Sequence, residues 1–201
     1  MTVSVAIYVF PEMELLDFAG PYEVFTTANR VHKRLAPETP DVFRVFTVAR
    51  GVGLVRARAG LEIKPGFAFE SHPSMDLLIV PGGVVTGELK EPDVARWIAA
   101  HGASGKLTAS VCTGAFLLAR AGLLAGRAAT THWEDIAELR AQFPEVRVEE
   151  GPRWVDEGPV VSSAGISAGI DMSLHLVERL ASRELALATA RQMDVCWDEN
   201  N

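Results

Sequence analysis

The strongest constraint on this chain is its repeated alternation of short apolar runs with helical patterns. Residues 3 to 9 are β-branched and apolar on both faces, as suits a strand buried on both sides of a parallel sheet. Phe43 to Ala49, Asp76 to Val80 and Leu107 to Val111 read as further strands of that sheet. The first helix is expected from Gly20-Pro21, with Pro21 at its first position, to about Leu35. Others are expected over Asp93 to Ala100, from Thr113 to Leu118 or beyond, over Ile166 to Leu180 and over Arg183 to Met193. Thr131-His132-Trp133-Glu134 fits a capping box for one more, about His132 to Gln142. Leu54 to Ile63 reads as a β-ribbon turning at Gly60, and Val146 to Val148, Arg153 to Asp156 and Val160 to Ser163 as short strands. The pattern predicts an α/β fold, a three-layer α/β/α sandwich about a mostly parallel sheet. A length of 201 residues suits a single domain, 1–201, with a full core.

Composition excludes several functions. The net charge of −7 leaves no basic footprint for nucleic acid. Two cysteines make no disulfide framework, and no Cys/His cluster has zinc spacing, so no metal or cofactor is expected. MTVSVAIYVF lacks a basic n-region and a small-residue cleavage site, and no apolar run is long enough to span a bilayer. These features lead us to expect a cytoplasmic protein without a membrane or nucleic-acid partner.

Ser110-Val111-Cys112-Thr113-Gly114-Ala115 joins a strand to a helix through a tight turn that carries a cysteine, the form of a nucleophile elbow with sulfur in place of oxygen. At a helix N-terminus the thiolate is expected to be favoured. Ligands of open α/β sheets bind at the carboxyl ends of the strands. Two more loops belong at that edge: Phe10 to Asp17 after the first strand, and Pro81-Gly82-Gly83 after the third.

Each candidate has a structural alternative. Asp17 is a helix cap, or a carboxyl that bonds the Cys112 sulfur and handles protons; Glu14 is the alternative carboxyl. Gly82 and Gly83 form a plain turn, or bring backbone close to a ligand, with the N–H groups of Gly83 and Thr113 facing developing negative charge. Thr113 satisfies a helix terminus or orients water or substrate. His132 caps its helix or lines the pocket. Gly165 to Gly169 permits close helix packing or touches the ligand. Cys196 reads as incidental. If Phe10, Phe18 or Trp133 lines the pocket, it suits a bulky apolar group.

Leu78-Ile79-Val80-Pro81-Gly82-Gly83, Ser110 to Gly114, Ala129-Thr130-Thr131-His132-Trp133 and Ser163 to Met172 together resemble the ThiJ/PfpI superfamily over nearly the whole chain. The resemblance implies the class I glutamine amidotransferase-like fold, with a flavodoxin-like sheet. PfpI-type proteases and many glyoxalase-like members place a histidine directly after the cysteine, where this chain has Thr113. The run Leu16 to Pro21 and the Cys112-Thr113 pair are instead similar to isonitrile hydratases and to the amidase-like sensor domains of AraC-type regulators. The resemblance implies a hydro-lyase with Cys112, Asp17 and Thr113 as the catalytic set, and a homodimer; with the readings above, Gly82, Gly83 and His132 are expected beside the substrate, a small-molecule electrophile. A redox-sensing or ligand-binding protein without turnover, and glyoxalase or deglycase chemistry, are the alternatives.

Overall fold

The structure is a computed structural model and describes residues 2–200. Its centre is a seven-stranded sheet. In chain order the elements are β1 (Val3–Tyr8), α1 (Leu15–Leu35), β2 (Phe43–Ala49), a two-stranded ribbon β3 (Val55–Arg56) and β4 (Glu62–Ile63), β5 (Phe67–Ala68), β6 (Leu77–Val80), α2 (Pro92–Ala103), β7 (Leu107–Val111) and α3 (Gly114–Arg120). Then follow β8 (Ala128–Ala129), α4 (Ile136–Gln142), β9 (Arg147–Val148), β10 (Trp154–Asp156), β11 (Val160–Ser163), α5 (Ala168–Leu180) and α6 (Arg183–Met193). The main sheet runs β10-β11-β7-β6-β1-β2-β5, parallel except for the β10–β11 pair. β8 and β9 form a separate small sheet.

The period-2 alternation of side chains explains why both faces are covered. Val5 and Ile7 of β1, with Leu77 and Ile79 of β6, pack with Val24, Phe25, Leu174 and Ala186 from α1, α5 and α6. Ala6, Tyr8, Leu78 and Val80 point the other way, to Ile98 of α2 and Phe116 and Leu117 of α3. The result is the expected three-layer sandwich.

The order of strands places the site. The chain leaves β1 for β2 on one side and later returns to lay β6 on the other. The connections after β1 and β6 therefore depart in opposite directions and open a crevice at the carboxyl edge. β7 lies next to β6, so the elbow after it borders the same crevice.

Several bounds shift by one to three residues and the short strands β5 and β8 are additional, but three differences from the sequence reading bear on the site. α1 starts at Leu15, so Pro21 lies inside the helix and Asp17 sits in its first turn instead of before it. The start is fixed from outside, where the Glu14 N–H donates to Gly82 O at 2.8 Å. The expected capping box is not formed. The Thr131 hydroxyl donates instead to Cys112 O at 2.9 Å, and the His132 ring accepts the Glu134 N–H above a single 3-10 turn, Trp133–Asp135, that leads into α4. α5 starts at Ala168, leaving Gly165 to Ser167 outside the helix. Among the described residues, no helix is long and apolar enough to cross a membrane.

Candidate active site

Cys112 directly follows β7 with φ of 56°, in the left-handed region that costs a non-glycine residue about 1–3 kcal/mol. Three bonds hold the strained residue. Its N–H donates to Ser163 O of the neighbouring strand at 3.1 Å, and its carbonyl accepts from the Thr131 hydroxyl at 2.9 Å and the Ala115 N–H at 3.2 Å. The kink turns the side chain out of the sheet and into a cavity of about 330 Å³. The cavity is lined by Glu14, Arg58, Gly83, Cys112, Thr113, His132, Glu134, Asp135 and Ile166.

Asp17 meets Cys112 from below. Its side chain is fully buried, and Oδ2 accepts the Gly82 N–H at 3.1 Å. Oδ1 has no hydrogen-bond partner among the described residues. Burial raises the carboxyl to about pH 7; Glu14 pushes the same way, while the Gly82 amide and the Cys112 thiol pull it back. The acid is thus poised where it both gives and takes a proton near neutrality.

The thiol does not behave as the helix-terminus argument anticipates. Burial, then the Asp17 charge, push Cys112 well above the ordinary thiol range, and Asp135 adds to this. The N–H and hydroxyl of Thr113 only partly offset them. α3 is two turns long, and the weak field of its end is outweighed by a desolvated site rich in carboxylates. The resting group is a thiol, and a neighbouring base must take its proton.

The two glycines have a different task from the one anticipated. The Gly83 N–H, read as a donor to developing charge, donates to Thr113 Oγ1 at 2.9 Å, and the Thr113 hydroxyl donates back to Gly83 O at 2.9 Å. Both groups lock the β6 loop to the elbow, which commits the Gly83 N–H and the Thr113 hydroxyl proton and leaves the hydroxyl one acceptor position. No side chain fits this junction. A Cβ at Gly82 would lie 2.6 Å from Thr113 N and 2.9 Å from Asp17 Oδ2, and Gly83, at φ +128°, would drive one to 2.6 Å from Met13 Cα.

His132 lines the cavity as well as capping its turn. Its Nδ1 lies 3.5 Å from Asp135 Oδ2 and 3.8 Å from Glu134 Oε2. A Cβ added at Gly165 would sit 2.7 Å from Cys112 Sγ and 2.8 Å from His132 Cδ2, so only glycine lets this backbone pack against both the thiol and the imidazole. Phe10 is buried in the core, Trp133 is 73% exposed, and neither they nor Phe18 line the cavity, so its wall is polar. Cys196 is exposed, far along the chain after α6.

Sequence reasoning does not mark Arg58, Glu134 and Asp135 as cavity residues, whereas Ile166 belongs to the Gly165 to Gly169 run read there as packing a helix or touching the ligand. Arg58 arrives because its N–H donates to Met13 O at 2.9 Å, folding the β3–β4 ribbon over the first loop; nothing in its local sequence announces this. Glu134 and Asp135 follow His132 directly, and once that histidine faces the site they are drawn in with it. A second buried carboxyl at the same edge, Glu88, is already satisfied by the Tyr8 hydroxyl and by Arg50 at 3.4 Å. Among the described residues, no group of three or more His, Cys, Asp or Glu is placed to hold a metal ion.

Comparison with known proteins follows the same lines. A model of the DJ-1/PfpI family matches residues 3–179. The chain is 33% identical over 195 residues to isonitrile hydratase from Pseudomonas putida, a match that covers 96% of this chain and 79% of that protein. It is 31% identical to the HTH-type transcriptional regulator GbdR from Pseudomonas aeruginosa strain UCBPP-PA14 over 92% of this chain; that match spans 48% of the regulator. A crystal structure of a ThiJ/PfpI family protein from Pseudomonas syringae superimposes with a TM-score of 0.85 at 27% identity, over 100% of this chain and 78% of the other.

Proposed function

Because the chain belongs to the DJ-1/PfpI family, we propose that it is a cysteine-dependent isonitrile hydratase, which adds water to an isonitrile and releases an N-substituted formamide. The observation that carries this reading is the fully buried Asp17 carboxyl, raised to about pH 7, against the Cys112 thiol. A proton carrier of that kind serves water addition, and the position after the cysteine, Thr113, lacks the histidine of the proteolytic pattern. The similarity to the Pseudomonas putida isonitrile hydratase over most of both chains supports the choice of substrate.

The steps balance as follows. Asp17 takes the thiol proton, and the Cys112 sulfur attacks the terminal carbon of R–N≡C, forming a C–S bond. The proton held by Asp17 passes to that carbon and leaves a thioformimidate, R–N=CH–S. Asp17, again a carboxylate, draws a proton from water as its oxygen adds to the carbon, and delivers that proton to nitrogen. Collapse to the carbonyl breaks the C–S bond; the hydroxyl proton returns through Asp17 to sulfur and R–NH–CHO leaves. The raised proton affinity of the thiol makes its sulfur a strong nucleophile once deprotonated. Thr113, Gly82 and Gly83 hold the geometry, and His132 bounds the space for the substrate. A homodimer acting in the cytoplasm completes the proposal.

Incubating the protein with alkyl and aryl isocyanides and measuring the formamide tests this reading. The expected result is turnover that C112A abolishes. No formamide from a panel of several isocyanides overturns the substrate assignment. A second reading, ligand sensing without turnover, is favoured by the 31% identity to a transcriptional regulator. It predicts saturable ligand binding to a protein that forms no product.

A further inference from the structure

We propose that the cavity over Cys112 selects electrophiles that carry a positive charge, with Glu134 and Asp135 as the residues that set this preference. The inference rests on the reading of Cys112 as the nucleophile and goes beyond it by naming the charge class of the substrate.

The walls carry three carboxylates, Glu14, Glu134 and Asp135, against one guanidinium, Arg58. Arg58 Nη1 lies 3.5 Å from Glu14 Oε2, so this cation is matched to one of the three. Glu134 and Asp135 have His132 as their basic neighbour, at 3.8 and 3.5 Å, and neither has a lysine or arginine within 4.0 Å among the described residues. Beneath the floor the fully buried Asp17 adds a fourth carboxyl beside Cys112, its Oδ1 without a hydrogen-bond partner among the described residues. A cavity whose walls carry an excess of one sign of charge focuses the field and raises the local concentration of the opposite sign by about tenfold or more. An anionic electrophile meets like charge at the same wall. The 330 Å³ of space leaves room for a small ammonium group beside the reacting carbon. The high proton affinity of Cys112, caused in part by Asp17 and Asp135, is the same field acting on the thiol.

The experiment uses the intact protein and two thiol reagents of similar size and opposite charge, 2-(trimethylammonium)ethyl and 2-sulfonatoethyl methanethiosulfonate. In each reaction the sulfur of Cys112 attacks the sulfenyl sulfur and forms a disulfide, while methanesulfinate leaves; the thiol proton goes to solvent. Rates at Cys112 are read by peptide mass spectrometry and referred to the same pair reacting with 2-mercaptoethanol. The expected cation-to-anion ratio at Cys112 exceeds the reference by about tenfold, falls with added salt, and falls further in E134Q and D135N. A ratio equal to or below the reference overturns the proposal. The salt series on the unchanged protein keeps the test decisive if a variant fails to fold. If no isocyanide is hydrated while the charge preference holds, the substrate assignment fails and the selectivity stands. If isocyanides are hydrated without a charge preference, the reverse is true.

Discussion

Replacing Asp17 with asparagine removes a charge and little else, and its effect on stability follows from the buried carboxyl. In the unfolded chain the group ionises at 3.8; in the folded protein it holds its proton to about 7. At roughly 1.4 kcal/mol per pH unit, that gap corresponds to about 4 kcal/mol. The full burial of Asp17 leaves no solvent screening to reduce the figure. The sign is that of an acid whose folded value is raised. Its contribution is complete below the unfolded value and is lost as pH rises through the folded one. Wild-type protein should therefore weaken, relative to D17N, by about 3 kcal/mol between about pH 4.5 and pH 8, since part of the loss lies below that window. Urea denaturation of both proteins at a series of pH values measures the difference, and ionisations common to the two cancel. D17N should be the more stable protein at pH 8 and the less active one, a trade of stability for function at a strained site. Parallel stability curves for the two proteins across this range would refute the account of Asp17 as a buried proton carrier.

The remaining expectations concern the neighbours. If Asp17 is the base for the thiol, kcat/KM should rise with pH through about 7 and lose that ionisation in D17N; a profile unchanged by the substitution counts against the role. T113V removes both bonds to Gly83 and should cost about 1–2 kcal/mol of stability and lower kcat, read by denaturation and steady-state kinetics. G165A presses a methyl group against both Cys112 Sγ and His132. It should slow iodoacetamide alkylation of Cys112 at least tenfold at an overpacking cost of about 1–3 kcal/mol, and unchanged alkylation would show that reagents enter by another route.

Much of the fold is visible in the sequence because its signals are local. β7 and α6 have the expected bounds, Leu107–Val111 and Arg183–Met193, since each is marked by its own apolar pattern and punctuation. The start of α1 is not local: Pro21 is a good first residue, but the loop bond from Glu14 to Gly82 sets the helix running earlier. The same division holds at the site. Cys112, Asp17 and the glycine pair are marked by motif and strand end, and the structure brings them together. The proton affinity of the thiol departs from the sequence expectation because a helix terminus is legible in sequence and the depth of burial is not. The place of Arg58 is not legible in sequence because a ribbon folded back over another loop leaves no periodic trace.

The crevice between β1 and β6 has a consequence for how the chain acquires its chemistry. Asp17, Gly82 and Cys112 follow three strands, β1, β6 and β7, that are distant in sequence and adjacent in the sheet, so closing the site requires long-range pairing, the slow part of folding. Until β6 and β7 dock beside β1, Cys112 is an ordinary solvated thiol, open to any oxidant or alkylating agent. Docking buries it and ties its reactivity to a single partner base. The finished sheet thus acts as a safety catch: folding withdraws the sulfur from indiscriminate reaction and returns it only to molecules that enter the cavity.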